Sequence, residues 1–198
     1  MSLTFYFAPD STALITAGVL AELGTPHEQI VIDIRGGGTK TPEFLAINPN
    51  GKVPTIVHEG TAIWESAAIT MYLGETFGVD AKLYPAPGPL RGEAMKWITW
   101  SNVVLAQAAV ELMIAMHGDE AAVEKARQGI AACLGILDGG LAGKSFLLGD
   151  YSLADTHVQG FVGWLGMMKV DLSPFANVSA WLQRCMERPG LAKLMAGG

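Results

Sequence analysis

The segment from Val79 to Pro89 carries Pro85, Pro87, Gly88 and Pro89. Neither a helix nor a strand interior tolerates that combination, because proline removes a backbone donor and fixes φ while glycine loosens whatever it interrupts. The chain must break there, and the apolar pattern changes period across the break. Short alternating runs precede it, interspersed with helical ones, and every recurrence after it is helical. A length of 198 residues suits one large domain or two small ones, and the break favours two. We expect an α/β domain over residues 1–78, a linker over 79–89 and an all-helical domain over 90–198.

In the first part, Ser2 to Phe7 alternates with Leu3, Phe5 and Phe7 on one face, and Glu28 to Ile34 alternates through Ile30, Ile32 and Ile34. A period of two marks strands. Between them, Thr12 to Leu23 repeats apolar residues at Ile15, Val19 and Leu23, a helical recurrence that Gly24 ends. Thr41-Pro42 supplies an N-cap and a proline at the first helical position for a short helix to Ile47. Pro54 to His58 and Thr61 to Trp64 flank Glu59-Gly60, read as a hairpin turn, and a helix from Ser66 to Gly78 closes the unit. The order strand, helix, strand, helix, hairpin, helix matches a thioredoxin-like arrangement. Beyond the break, helices are expected over 90–117, 119–138, 153–168 and 174–186. Ser152 and Asp155 have capping-box spacing at the head of the third, which accounts for Asp155 without a catalytic role.

Composition narrows the function. Half the residues are hydrophobic and the mean hydropathy is +0.31, so a membrane span has to be weighed. The longest charge-free stretches, Trp97 to Val110 and Thr156 to Met168, are shorter than the roughly 18 residues a span needs, and no crossing of a bilayer is expected. No basic, apolar leader with a small-residue cleavage site opens the sequence, which makes the cytoplasm the expected location. A formal net charge of -6 without a Lys/Arg cluster argues against nucleic acid as a partner. Cys133 and Cys185 lie far apart and read as reduced packing residues. His27, His58, His117 and His157 have no zinc-ligand spacing, so no metal is expected.

Two stretches carry chemistry. Thr41-Pro-Glu-Phe-Leu-Ala-Ile-Asn-Pro-Asn-Gly-Lys-Val-Pro54 is followed by Trp64-Glu-Ser-Ala-Ala-Ile69 and then by the proline-rich linker. In this order and spacing they closely resemble the glutathione site of cytosolic glutathione transferases. The resemblance continues through Phe146 to Asp155 and Ala180 to Arg184, and so covers essentially the whole chain. It implies a thioredoxin-like glutathione-binding domain followed by an all-α domain, a cis peptide bond at Pro54, and a homodimer. It also implies that the backbone of Val53 receives glutathione as an extended peptide, by paired main-chain hydrogen bonds. Glu65 suits the γ-glutamyl ammonium, and Ser66 with the following helix N-terminus suits the carboxylate. Lys40 and Lys52 match positions where family members often carry Lys, His or Gln for the opposite carboxylate; either also reads as an ordinary solvated lysine.

A transferase holds glutathione as thiolate near neutral pH, although a free thiol ionises near 8.5. Lowering that pKa by two units takes about 2.7 kcal/mol, and one hydroxyl bonded to charged sulfur supplies about 1.5–3 kcal/mol. The family places its serine, cysteine or tyrosine after the first strand, here Ala8-Pro-Asp-Ser11-Thr12-Ala13. Aligned with serine-type members, Ser11 is the catalytic hydroxyl; aligned without gaps to bacterial cysteine-type members, Thr12 takes that place. Ser11 is preferred, and either hydroxyl also suits a helix cap. The sequence departs from the family in two places. Ile15, Thr16 and Ala17 stand where an arginine often follows the serine, and Ala109 and Val110 replace a bacterial His-Lys pair. No cysteine lies in the first domain, which disfavours mixed-disulfide chemistry there. A pocket for a small apolar electrophile is expected between Ala8, Pro9 and the long helix, lined by Val110, Met113 and His117.

Overall fold

The computed structural model describes residues 2–195. Alternation builds a four-stranded sheet from β1 (Leu3–Phe7), β2 (Glu28–Val31), β3 (Thr55–His58) and β4 (Thr61–Trp64), in the order β2-β1-β3-β4. β2 runs parallel to β1, and β3 and β4 are antiparallel to their neighbours. The parallel pair requires a crossover, which α1 (Ala13–Leu23) provides. The antiparallel pair needs only a tight turn, made by Glu59 and Gly60 at positive φ. Leu3 and Phe5 are buried on one face of β1, and Tyr6, from the other, meets the ring of Phe44 in α2 (Pro42–Ile47). Thr41 caps α2 through the Phe44 amide at 3.3 Å. α3 (Ser66–Leu73) continues through a π-type turn to Gly78.

The expected strand over 28–34 is shorter than its alternation. Ile32 donates to the Phe7 carbonyl at 2.7 Å, after which the chain folds back through the turn at Asp33 to Gly38, and Ile34 is exposed. Past the proline-rich stretch, α4 (Pro89–Trp100) and α5 (Ala106–Ala115) join through a π-type turn, Ser101–Leu105. Next come α6 (Glu120–Gly140), α7 (Leu153–Met167) and α8 (Ala176–Met186), all expected, and then α9 (Pro189–Met195), which was not. The charge-free runs are shorter than a span, yet the continuous helix Pro89–Ala115, which includes charged residues, is long and apolar enough to cross a membrane by length and composition. Here its residues Ala94, Ile98, Leu105, Ala109 and Leu112 are buried, and it packs on α3, α6 and α7.

Both halves share one apolar core, with α1 packed against α7 and α9. Asp155 is buried beneath it and accepts from the Leu147 and Ser152 amides, the Ser152 hydroxyl and the Trp181 indole, which is a brace for α7 and α8. Burial pushes its carboxyl above the usual range while these four donors pull it back. Cys133 and Cys185 are buried and unpaired, with thiols pushed up by burial.

Candidate functional site

The strand register gathers three separate segments at one end of the sheet. Tyr6 pairs with Thr55, so β3 starts beside the end of β1, and Thr55 pairs with Trp64, so β4 ends on its other side. Just outside the ladder at this end lie Ala8 to Thr12, Val53-Pro54 and Glu65-Ser66. The first runs into the N-terminus of α1 and the last into that of α3, and helix N-termini present unpaired N–H groups and a partial positive charge.

The middle segment is shaped by Asn48. Its buried amide donates to the Lys52 carbonyl at 2.8 Å and to Thr55 Oγ1 at 2.9 Å, while its oxygen accepts from the Asn50 backbone and side chain. Gly51, at φ 57°, fits where an added Cβ would lie 2.7 Å from the Thr39 carbonyl. The Val53–Pro54 bond is cis, as the resemblance implied. Among the described residues the Val53 N–H and carbonyl find no backbone or side-chain partner, which leaves both for an extended ligand.

Glu65 bends the chain from β4 directly into α3 at φ 72° and ψ 119°, a sparsely populated positive-φ conformation that costs a non-glycine residue about 1–3 kcal/mol and tends to sit where function holds it. Its carboxylate is exposed and Ser66 is buried. Asn102 Nδ2 lies 3.0 Å from Ser66 Oγ, Asn102 Oδ1 lies 2.6 Å from His157 Nε2, and His157 Nδ1 lies 2.8 Å from Thr70 Oγ1. Burial lowers the His157 pKa to about 3, so the ring is neutral.

Ser11 and Thr12 are employed differently. The Ser11 hydroxyl donates to the Ala8 carbonyl at 2.7 Å and accepts from the Ala13 amide at 3.1 Å. Thr12 is exposed at the N-cap of α1, and its side chain makes no capping bond.

Comparison with known proteins decides the family. Residues 11–76 match the glutathione S-transferase N-terminal domain, and residues 102–189 match the glutathione S-transferase C-terminal domain. This chain belongs to the glutathione S-transferase family. It is 30% identical over 185 residues to glutathione S-transferase GstB of Escherichia coli, covering 89% of this chain and 88% of that one. It is also 32% identical over 164 residues to elongation factor 1-gamma-A of Xenopus laevis, covering 78% of this chain and 36% of that protein. Among solved structures, glutathione transferase URE2P6 from Phanerochaete chrysosporium, in complex with oxidized glutathione, superposes with a TM-score of 0.88 at 27% identity, over 98% of this chain and 95% of that one.

Against the family pattern, the remaining expected residues divide. Lys40 Nζ is tied to the Asn50 and Gly51 carbonyls at 3.4 and 3.2 Å, so part of its donor capacity holds the loop. Lys52 is exposed, and its ammonium has no partner among the described residues. Ala8 is buried and serves packing, Pro9 is exposed, Val110 is half-buried, and Met113 and His117 are exposed on α5 and just past its end. Asn102 was not singled out from the sequence, and His157 was considered there only as a metal ligand. The one signal pointing to them was a pair of polar residues, Ser101-Asn102 and Thr156-His157, inside each long charge-free helical run.

Proposed function

We propose that this chain binds glutathione at the end of the sheet and stabilises its thiolate at the N-terminus of α1 through Thr12 or Ser11. The sulfur then forms a bond to the electrophilic carbon of a small apolar substrate, whose leaving group departs with its electron pair. Attack on a peroxide or disulfide would follow the same first step. The observation supporting this is the convergence of Ala8 to Thr12, the unpartnered Val53 backbone and the strained Glu65-Ser66 turn on one end of the sheet. Val53 would pair with the peptide backbone, Glu65 with the γ-glutamyl ammonium, Ser66 with its carboxylate, and Lys52, assisted by Lys40, with the glycyl carboxylate. No metal is required for this chemistry.

A second reading has its own support. The Ser11 proton is occupied by the Ala8 carbonyl, and one relative is an elongation factor, which fits a glutathione-binding or interaction module of the same fold without turnover. Calorimetric titration with glutathione, combined with thiolate absorbance of the complex from pH 5 to 9, separates the two. Saturable binding with thiolate present well below pH 8 supports the transferase; binding without ionisation supports a glutathione-binding module; absence of binding rejects the transferase and leaves only an interaction module of this fold. A cytoplasmic location accords with either reading.

The same proposal includes a homodimer. Val103 and Ile114 are 65% and 64% exposed on the α4–α5 helix, with Val104 and Met113 also exposed, an apolar surface that a second copy would cover. Light scattering is expected to give about twice the 20.9 kDa chain mass, and a monomer at micromolar concentration would sink the dimer.

A further inference from the structure

One direction of hydrogen bonding fits the chain of side chains Thr70, His157, Asn102 and Ser66. A neutral imidazole has one N–H and one lone pair. Among the described residues the Thr70 hydroxyl has no acceptor except His157 Nδ1, 2.8 Å away, so it donates there and the ring proton sits on Nε2. Nε2 then donates to Asn102 Oδ1 at 2.6 Å. With its oxygen so engaged, Asn102 turns Nδ2 to Ser66 Oγ and donates at 3.0 Å. The contact from Ser66 Oγ back to Asn102 Oδ1 is 3.4 Å, longer than an effective O–H···O bond. Ser66 therefore receives one proton and keeps its own. Asn102 lies in the π-type turn Ser101–Leu105 that joins α4 to α5, the kind of irregularity that recurs at functional sites. The network also spans the two halves of the fold: Ser66 and Thr70 belong to α3, His157 to α7.

We propose that Asn102 and His157 are positioning residues that hold Ser66 as a hydrogen-bond donor toward the γ-glutamyl carboxylate of glutathione. A serine hydroxyl left to itself donates or accepts according to its neighbours; here a donor anchored in the core of the helical half fills the accepting side. The remaining proton joins the free N–H groups of the α3 N-terminus, giving a carboxylate a matched set of donors. The inference rests on the glutathione-binding reading given under Proposed function.

Two measurements test it. Nitrogen-15 NMR of the native protein is expected to show His157 in the Nε2–H tautomer between pH 5 and 8; an Nδ1–H tautomer reverses every bond in the chain and overturns the assignment. A double-mutant cycle on glutathione affinity comes second. Asn102→Asp, which keeps the shape but turns the donor into an acceptor, is expected to weaken glutathione about 10- to 100-fold, the range for a charge-assisted hydrogen bond. In the Ser66→Ala background the same change should cost about threefold or less, since only the added charge then acts. Equal losses in both backgrounds overturn the positioning role while leaving glutathione binding intact. A native protein that binds no glutathione overturns the binding reading itself. His157→Gln, whose amide can donate from the Nε2 position, should retain most of the affinity that His157→Leu loses, with unfolding midpoints recorded for both.

Discussion

Ser11 and Thr12 are neighbours with opposite employment, and that difference can be measured. The Ser11 hydroxyl closes the turn between β1 and α1 with two hydrogen bonds, each worth about 1 kcal/mol, so Ser11→Ala is expected to lower the unfolding midpoint. Thr12→Ala breaks no hydrogen bond involving its side chain and should leave the midpoint unchanged. If the exposed Thr12 hydroxyl is the thiolate donor, its loss raises the pKa of bound glutathione by about one to two units, because a hydrogen bond to a charged group contributes about 1.5–3 kcal/mol. Thiolate absorbance of the two variants decides: a raised pKa in Ser11→Ala alone returns the role to Ser11. The sequence allowed both residues because adjacent hydroxyls at a helix start have the same local pattern. It brought Val53, Pro54, Glu65 and Ser66 forward because the motif carrying them is contiguous or nearly so. Asn102 and His157 stayed hidden since they reach Ser66 across 36 and 91 positions of chain, a distance that no local period encodes.

At the level of elements, the α/β half was legible wherever one strand or helix carried its own signal, as with the Thr41-Pro42 start of α2. Elements whose limits are set from elsewhere were not. β2 ends early because the ladder to β1 stops at Phe7, and α9 exists because α1 gives it somewhere to bind. Arg188 reaches Glu22 Oε2 through Nε and Nη2 at 3.2 and 3.0 Å and lies 4.0 Å over the Tyr151 ring, while the Leu191 amide donates to Glu22 Oε1. The Glu22 side chain is 2% exposed. Removing its partner leaves a carboxylate in the core, so Arg188→Met is expected to destabilise by about 3 kcal/mol, the low end for a broken buried pair since Arg188 is itself partly solvated. Adding Glu22→Gln should recover part of the loss, because the stranded charge is then gone. Chemical denaturation of the single and double variants checks this, and equal stability of native and Arg188→Met would show that α9 is held by apolar contact alone.

Across the whole molecule, the two halves are joined by close backbone approach as well as by polar contacts, and this makes the proposed glutathione end of α1 dependent on the helical half. Gly160 of α7 faces Ile15 of α1 so closely that an added Cβ would lie 2.6 Å from Ile15 Cγ1. Ile15 is buried one turn from Ser11 and Thr12, so any yielding of α1 shifts the hydroxyls that face the proposed thiolate. Overpacking of this kind costs about 1–3 kcal/mol. Gly163, one turn further along α7, has nothing within 4 Å of its virtual Cβ, and exchanging a helical glycine for alanine gains up to about 1 kcal/mol in the absence of a clash. Gly160→Ala and Gly163→Ala are therefore chemically identical changes with opposite expected signs. The first should lower the unfolding midpoint and weaken glutathione binding together, in one cooperative transition, since the halves share a single core. The second should raise the midpoint and leave binding unchanged. Two separate transitions in Gly160→Ala, with binding retained, would mean that the α/β half holds its site without support from α7.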